Sequence, residues 1–436
     1  MAPSADIPLT VLPLGQQRYS CHGCGDCCRD FTVQLRPADL AQLAEQRWEE
    51  RLGERVTVEF RGQTYLRQRP DGACVFLQPD GKCRIHAEHG LAAKPLACQM
   101  FPWVLAPQED RVQVGISFAC QSVLGNQGAG MTSHLADLRR MAELVPELVP
   151  TRVLLVRGMQ ADPKEVAAVT RALDRWLSAE GVPLAVRLDG LAWLAQQLGR
   201  ADFTKVRGDR LRELLDLLVT ALPDELPLHP VEPATTAQCA TLRQAAFFRL
   251  EDPKIGSMRA TGRLRGVLGQ YLRSRAFSKG RGALPAMGAR WSDGATFAAV
   301  AAVPHALECP DLPALDELFT RWLRATVLGS RAWGSGYYGW PMVQGMQALA
   351  LNAACALWLA RAHAAARTAA APSGVAPSAA AALDDRAAVV TLADLRAALG
   401  RVDRACGRAP WLGSRPEALR LRYLAMDDGL RRILRA

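Results

Sequence analysis

The chain has 436 residues, enough for two or three ordinary domains, and its 49% hydrophobic and 22% charged residues exclude an intrinsically disordered protein. Its formal charge is +10, yet only six of the 53 basic residues are lysines. With no nucleic-acid-reading motif beside them, that bias reads as an arginine-rich composition, and no nucleic-acid partner is expected.

From the start of the chain, "MAPSADIPLTVLPLG" has no basic region and no long apolar core, so it reads as lacking an export signal. The expected compartment is the reducing cytoplasm, where clustered cysteines read as metal ligands or redox groups before disulfides. The stretch "YSCHGCGDCCRDF" (19–31) follows at once. "PADLAQLAEQRWEERLG" (37–53) begins on Pro37, keeps a helical apolar period and stops at Gly53, which predicts one helix. "RVTVEFRGQTYLRQ" (55–68) alternates around Gly62-Gln63 and predicts a hairpin. "PDG" turn signals recur at 70–72 and 79–81, each shortly before a cysteine. "RVQVGISFAC" (111–120) predicts a strand ending on Cys120.

Beyond about residue 131 helical periodicity takes over, in "SHLADLRRMAELVPEL" and "LRELLDLLVTAL". "DPKEVAAVTRALDRWLSAEG" adds Asp162 as N-cap, Pro163 at the first position, Glu165 completing a capping box and Gly181 as the stop. Segment 249–290 is basic; a solvated helical face is the plain reading and a docking surface for an acidic partner the sharper one. "WPMVQGMQALALNAACALWLARAHA" (340–364) is interrupted by Gln344, Gln347 and Asn352, so it reads as a buried helix and no membrane span is expected. "AAAPSGVAPSAAAA" (369–382) reads as a linker, and 391–407 and 415–436 as two closing helices. The class predicted is α+β. A small cysteine-rich metal or cluster domain (1–130) is followed by a mainly α-helical domain (131–368), a low-complexity linker or loop (369–383) and C-terminal helices (384–436).

The chemistry sits in the cysteines. Eight of the twelve form the series Cys21, Cys24, Cys27, Cys28, then Cys74, Cys83, Cys98 and Cys120. Two residues between thiolates let both sulfurs converge from one tight loop, and Gly23 and Gly25 suit such a loop. The adjacent pair Cys27-Cys28 is expected to point to opposite sides, one thiol toward Cys21 and Cys24, the other toward 74, 83, 98 or 120. Eight thiolates make either two four-cysteine sites or one site with spares. Zinc and iron–sulfur both take four thiolates. Zinc sites usually pair one C-x2-C with another, whereas the later cysteines here sit on separate turns, which favours a 4Fe–4S cluster. His22 and His86 read as groups outside the ligand set, and His89 as a helix-end residue. Cys239, Cys309, Cys355 and Cys406 are scattered singly and read as core residues.

"CHGCGDCC", "ACVFLQPDGKCRIHAEHG", "KPLACQMFPW" and "ISFAC" resemble the YkgJ-type cysteine-cluster proteins, described as a zinc- or iron-chelating domain, over about residues 19–121. The resemblance implies Cys21, Cys24, Cys27, Cys28, Cys74, Cys83 and Cys98 as motif cysteines, Cys120 as a further one, and Gly90, Pro95, Phe101 and Pro102 as framework. A similar cluster domain with a long helical extension occurs in the flagellin lysine-N-methylases. That similarity implies S-adenosylmethionine as cofactor, an iron–sulfur cluster and a flagellin-like protein substrate. The residues themselves add little for methyl transfer. "GNQGAGM" (125–131) is the one glycine-rich candidate for a cofactor turn and reads more simply as a loop. The C-x3-C-x2-C spacing of radical S-adenosylmethionine proteins is absent, and no nucleophile–base pair or carboxylate dyad stands out. Two functions therefore stand side by side: a cluster-dependent protein lysine N-methyltransferase, and a non-catalytic zinc- or iron-chelating or redox-sensing protein, with a purely structural metal as the plainest version of the second. No catalytic residue is assigned.

Overall fold

Residues 103–116 form the central hairpin of a three-stranded sheet, Trp103–Pro107 against Val112–Ile116, with Leu9–Val11 added parallel to the second strand. The computed structural model describes residues 8–11, 17–60, 62–145, 151–250, 263–285, 294–309, 312–369 and 388–436. Val112, Val114 and Ile116 are buried on one face of their strand. On the other, a Cβ at Gly115 would stand 2.9 Å from Arg331 Cδ. A strand closed on both faces lies inside the fold. It ends at Ile116, earlier than expected, because Ser117 turns its hydroxyl to the buried carboxylate of Asp403 at 2.7 Å.

The class is α+β, a cysteine-rich N-terminal unit with small sheets followed by a mostly helical region. In the N-terminal unit the hairpin expected around Gly62 is present, Thr57–Phe60 against Gln63–Leu66. The single helix expected over 37–53 is instead two, Pro37–Glu45 and Trp48–Leu52, broken at Arg47 with φ 53°. In a continuous helix Trp48 would lie about 140° around from Leu43. The break swings its indole into the same small core, with Leu35, Leu43, Val56, Leu66, Val75, Phe76 and Ile85.

In the helical body the capping box read at Asp162 and Glu165 starts the helix Pro163–Leu177. Its Trp176 packs on Gly190 of helix Leu184–Arg200, where a Cβ would stand 2.4 Å from the indole. The apolar stretch after Pro341 forms helix Met342–Ala369, long and apolar enough to cross a membrane, but 89% of its most apolar window is buried inside the fold. A helix apolar all round is a core helix when others surround it. Three helices, not two, close the chain: Leu392–Ala405, Arg415–Leu424 and Gly429–Ile433. Nearly all of the expected linker at 369–383, and parts of the basic segment 249–290, lie outside the described residues.

The larger core runs from Leu96 and Trp103 through the helices to Leu434, so apolar packing crosses residue 130. Two buried arginines fasten the same seam. Arg331 donates to Ile116 O at 2.7 Å and to Asp403 at 3.0 Å, and Arg321 donates to Gln17, Val123 O and Leu124 O.

Candidate metal centre

The loop before Cys27 has the backbone its glycines allow. Gly23 and Gly25 take φ of 72° and 74°, and Gly25 starts the short helix Asp26–Asp30. The second "PDG" turn packs directly on this loop: a Cβ on Gly81 would stand 2.5 Å from Gly23 O, and one on Gly25 would stand 3.1 Å from Gly81 O. Only glycine permits that approach, and it brings the turn leading to Cys83 against the loop of Cys24. Cys74 is tied to Cys28 by its N–H, which donates to Cys28 O at 2.7 Å. Cys98 lies on helix Leu96–Met100, held at its start by Asp39, which accepts from Leu96 N–H at 3.0 Å. Burial works against the Asp39 charge, but the hydrogen bonds from Arg36 and Leu96 outweigh it and hold its pKa below the ordinary value.

Cys120 opens the short helix Gln121–Leu124. The glycine-rich 125–130 follows that helix and pairs with Arg18–Tyr19, so the strand-to-helix context of a dinucleotide turn is not met. Gly128 approaches Ser20 so closely that a Cβ would stand 2.4 Å from it, which clamps the strand running into Cys21.

Cys27 and Cys28 do not point apart. They lie on a helix, where neighbouring side chains diverge by about 100° instead of the 180° of a strand, and their sulfurs are 4.0 Å apart. A single tetrahedral ion with metal–sulfur bonds of about 2.3 Å separates its sulfurs by about 3.8 Å, close to the spacing of this pair, whereas a 4Fe–4S cluster takes one thiolate per iron and would use one of the two. Around it the thiols form two neighbourhoods. Burial pushes the Tyr19 phenol well above the ordinary range, and the nearby Cys21, Cys120, Cys27 and Cys24 add to the shift. Cys98 is raised by burial first, and by Cys74, Cys83 and Cys27. Cys27 is raised by its contact with Cys28 and then by burial. Burial pushes Cys74 and Cys120 up to about 11 each. Cys21 and Cys24 are exposed, Cys74 is buried, and the other five of the eight are half-buried.

The donor chemistry fits zinc or iron, since thiolates suit both. The closure is incomplete: among the described residues no three His, Cys, Asp or Glu side chains converge around one point. His22 is turned away to Ser122 Oγ, and His89 ends its helix and stacks edge-on against Trp48. Two residues that sequence reasoning missed border the thiols. Lys94 lies near Cys98, Cys83, Cys27 and Cys28; burial works against its ammonium, but these thiols raise its pKa. Tyr19 is the other. Each sits within four residues of a motif cysteine, and that adjacency was the available signal.

Residues 20–120 match the family model CxxCxxCC, described as "Putative zinc- or iron-chelating domain". No curated protein and no solved structure matches the chain. The segment 20–120, with its paired sulfurs and turn-borne thiols, is a cysteine-cluster domain of this zinc- or iron-chelating family.

Proposed function

We propose that residues 20–120 bind iron as a 4Fe–4S cluster, with ligands drawn from Cys21, Cys24, Cys27, Cys28, Cys74, Cys83, Cys98 and Cys120. The observation that carries this reading is the layout of the donors. One C-x2-C-x2-C-C loop meets single cysteines from separate turns, whereas zinc knuckles pair C-x2-C with C-x2-C. Such a cluster supplies one-electron chemistry; zinc in its place would supply fold stability. Elemental analysis and an optical spectrum of anaerobically purified protein test it. Iron with inorganic sulfide and broad visible absorption is the expected result, and colourless protein with stoichiometric zinc overturns the cluster.

The resemblance to flagellin lysine-N-methylases extends this reading to a cytoplasmic enzyme that methylates protein lysines with S-adenosylmethionine. It is supported by the same order of parts, a cysteine unit followed by a long helical body. Incubation with labelled S-adenosylmethionine and flagellin is expected to put label on the protein substrate. No label and no cofactor binding by the metal-loaded protein would leave the non-catalytic chelating or redox-sensing function.

A further inference from the structure

The bend between helices Arg415–Leu424 and Gly429–Ile433 holds two consecutive non-glycine residues in left-handed backbone, Asp427 at φ 47° and Asp428 at φ 55°. It forms one wall of a half-open recess of about 570 Å3. The opposite wall is the N-terminus of the helix Thr236–Leu250. A volume of this size suits a small molecule.

The recess is divided by charge. On the bend, Asp427 is exposed and makes no side-chain hydrogen bond or ion pair among the described residues. Beside it stand Tyr423 and Met426, both partly open to solvent. On the helix side, Thr235 and Gln238 form a reciprocal cap. Gln238 N–H donates to Thr235 Oγ1 at 3.2 Å, and Thr235 N–H donates to Gln238 Oε1 at 2.9 Å. The cap uses the amide oxygen and leaves Gln238 Nε2 with no acceptor among the described residues, on a residue only 5% exposed that lines the recess. Arg432, on the helix Gly429–Ile433, also lines the recess and brings its guanidinium within 3.4 Å of Glu232, which lies just ahead of the helix Thr236–Leu250 in the chain. The helix N-terminus adds positive potential there.

The free amide N–H of Gln238 and the guanidinium of Arg432 call for acceptors on the ligand, and the unpaired carboxylate of Asp427 calls for a cation. We propose that this recess binds the zwitterionic head group of an α-amino acid, with its carboxylate toward Gln238 and Arg432, its ammonium toward Asp427, and its side chain along Tyr423 and Met426. The site lies in the helical body and stands whether or not the cysteines hold metal.

Calorimetric titration of the full chain tests it, with L-methionine and L-lysine as probes and N-acetyl-L-methionine and L-methionine amide as blocked controls. Both free amino acids are expected to bind, and each blocked form to bind about tenfold more weakly or worse, as loss of one charge-assisted contact implies. Asp427→Asn keeps a residue that tolerates left-handed backbone while removing the charge. It is expected to weaken binding of L-methionine about tenfold, and Tyr423→Ala to weaken it as well. Asp209→Asn, at an exposed carboxylate elsewhere, should change nothing. No heat with either amino acid, blocked forms that bind equally, or an Asp427→Asn protein that is folded by circular dichroism and binds as before would each overturn the proposal.

Discussion

Cys27 and Cys28 stand at the junction of the two thiol neighbourhoods, and their 4.0 Å separation makes them the pair to test first. Serine at either position keeps the size but loses the soft donor. Loss of a ligating thiolate is therefore expected to lower metal affinity by more than the roughly tenfold to hundredfold that loss of an outer partner costs, at one of the two positions for a 4Fe–4S cluster and at both for a single ion. Cys239→Ser is the matched control, because that thiol only points toward Ala234 O at 3.9 Å. Metal per chain, measured after competition with a chelator, separates the two outcomes; equal loss from the control would sink the assignment. A second residue-scale test lies in the helical body. Arg249 is 1% exposed and donates to Glu417 at 2.9 Å and to Asn352 at 2.8 Å. Glu417→Ala leaves a buried guanidinium without its counter-charge and should cost about 3 to 5 kcal/mol in denaturant unfolding. The cysteines were legible because their identity and spacing carry the chemistry directly. Lys94, Tyr19 and Arg249 were not, because what they do depends on neighbours that only folding brings near.

Helix ends and crossings show the same split between local and distant causes. The capping box at Asp162 and Glu165 was legible because every participant lies within four residues. Its reinforcement was not: Glu165 also accepts from Arg207 Nε at 2.7 Å and Gly208 N–H at 2.8 Å, more than forty residues away in the chain. Burial raises the Glu165 pKa, but these bonds outweigh it and depress it from 4.5 to about 2. A depressed carboxylate stabilises the fold fully above its unfolded pKa and loses that contribution as pH falls through the folded one. Discounted for the partial exposure of Arg207, the contribution is roughly 2 kcal/mol, lost between pH 4.5 and about 2. Glu165→Gln keeps the cap geometry and removes the charge, so it should flatten this acid limb in pH-dependent unfolding; an unchanged limb would assign it to other carboxylates. Gly190→Ala tests a crossing. Alanine favours the helix by about 1 kcal/mol. Its Cβ would nevertheless meet the buried Trp176, so a net loss of about 1 to 3 kcal/mol is expected from chemical denaturation. The helix break at Arg47 escaped sequence reasoning for a related reason. The apolar period of 37–53 is compatible with one helix, and only the demand to bury Trp48 with Phe76 and Ile85 decides against it.

At the scale of the molecule, two apolar cores meet along the cysteines. The small core, Leu35 to Ala93, is bordered by Cys28, Cys83 and Cys98 and includes Cys74. The large core takes in Trp103, Val114, Ile116, Phe118 and the helices, with Cys120 packed against it. The cores are joined by polar and aromatic contacts: Asp39 on Leu96 N–H, and Arg408 and Arg404 over the ring of Phe31 at 4.8 and 5.3 Å. A small core needs a staple where a large one does not. Metal held between them would therefore stabilise residues 31–98 most, because that unit has few buried large side chains of its own. Residues 103–124 are in a different position, although the family segment extends through them to residue 120. Their strand is buried on both faces, and Arg331, Asp403 and Arg321 bind it to the helices. Chelation of the metal-loaded protein should then raise hydrogen exchange sharply across 31–98, while 112–118 and the helix Met342–Ala369 stay protected. Hydrogen-exchange mass spectrometry before and after chelator reads this directly. Uniform deprotection of the whole chain would mean that the metal supports both cores, and no change in either would mean that the cysteines contribute nothing to holding the N-terminal unit together.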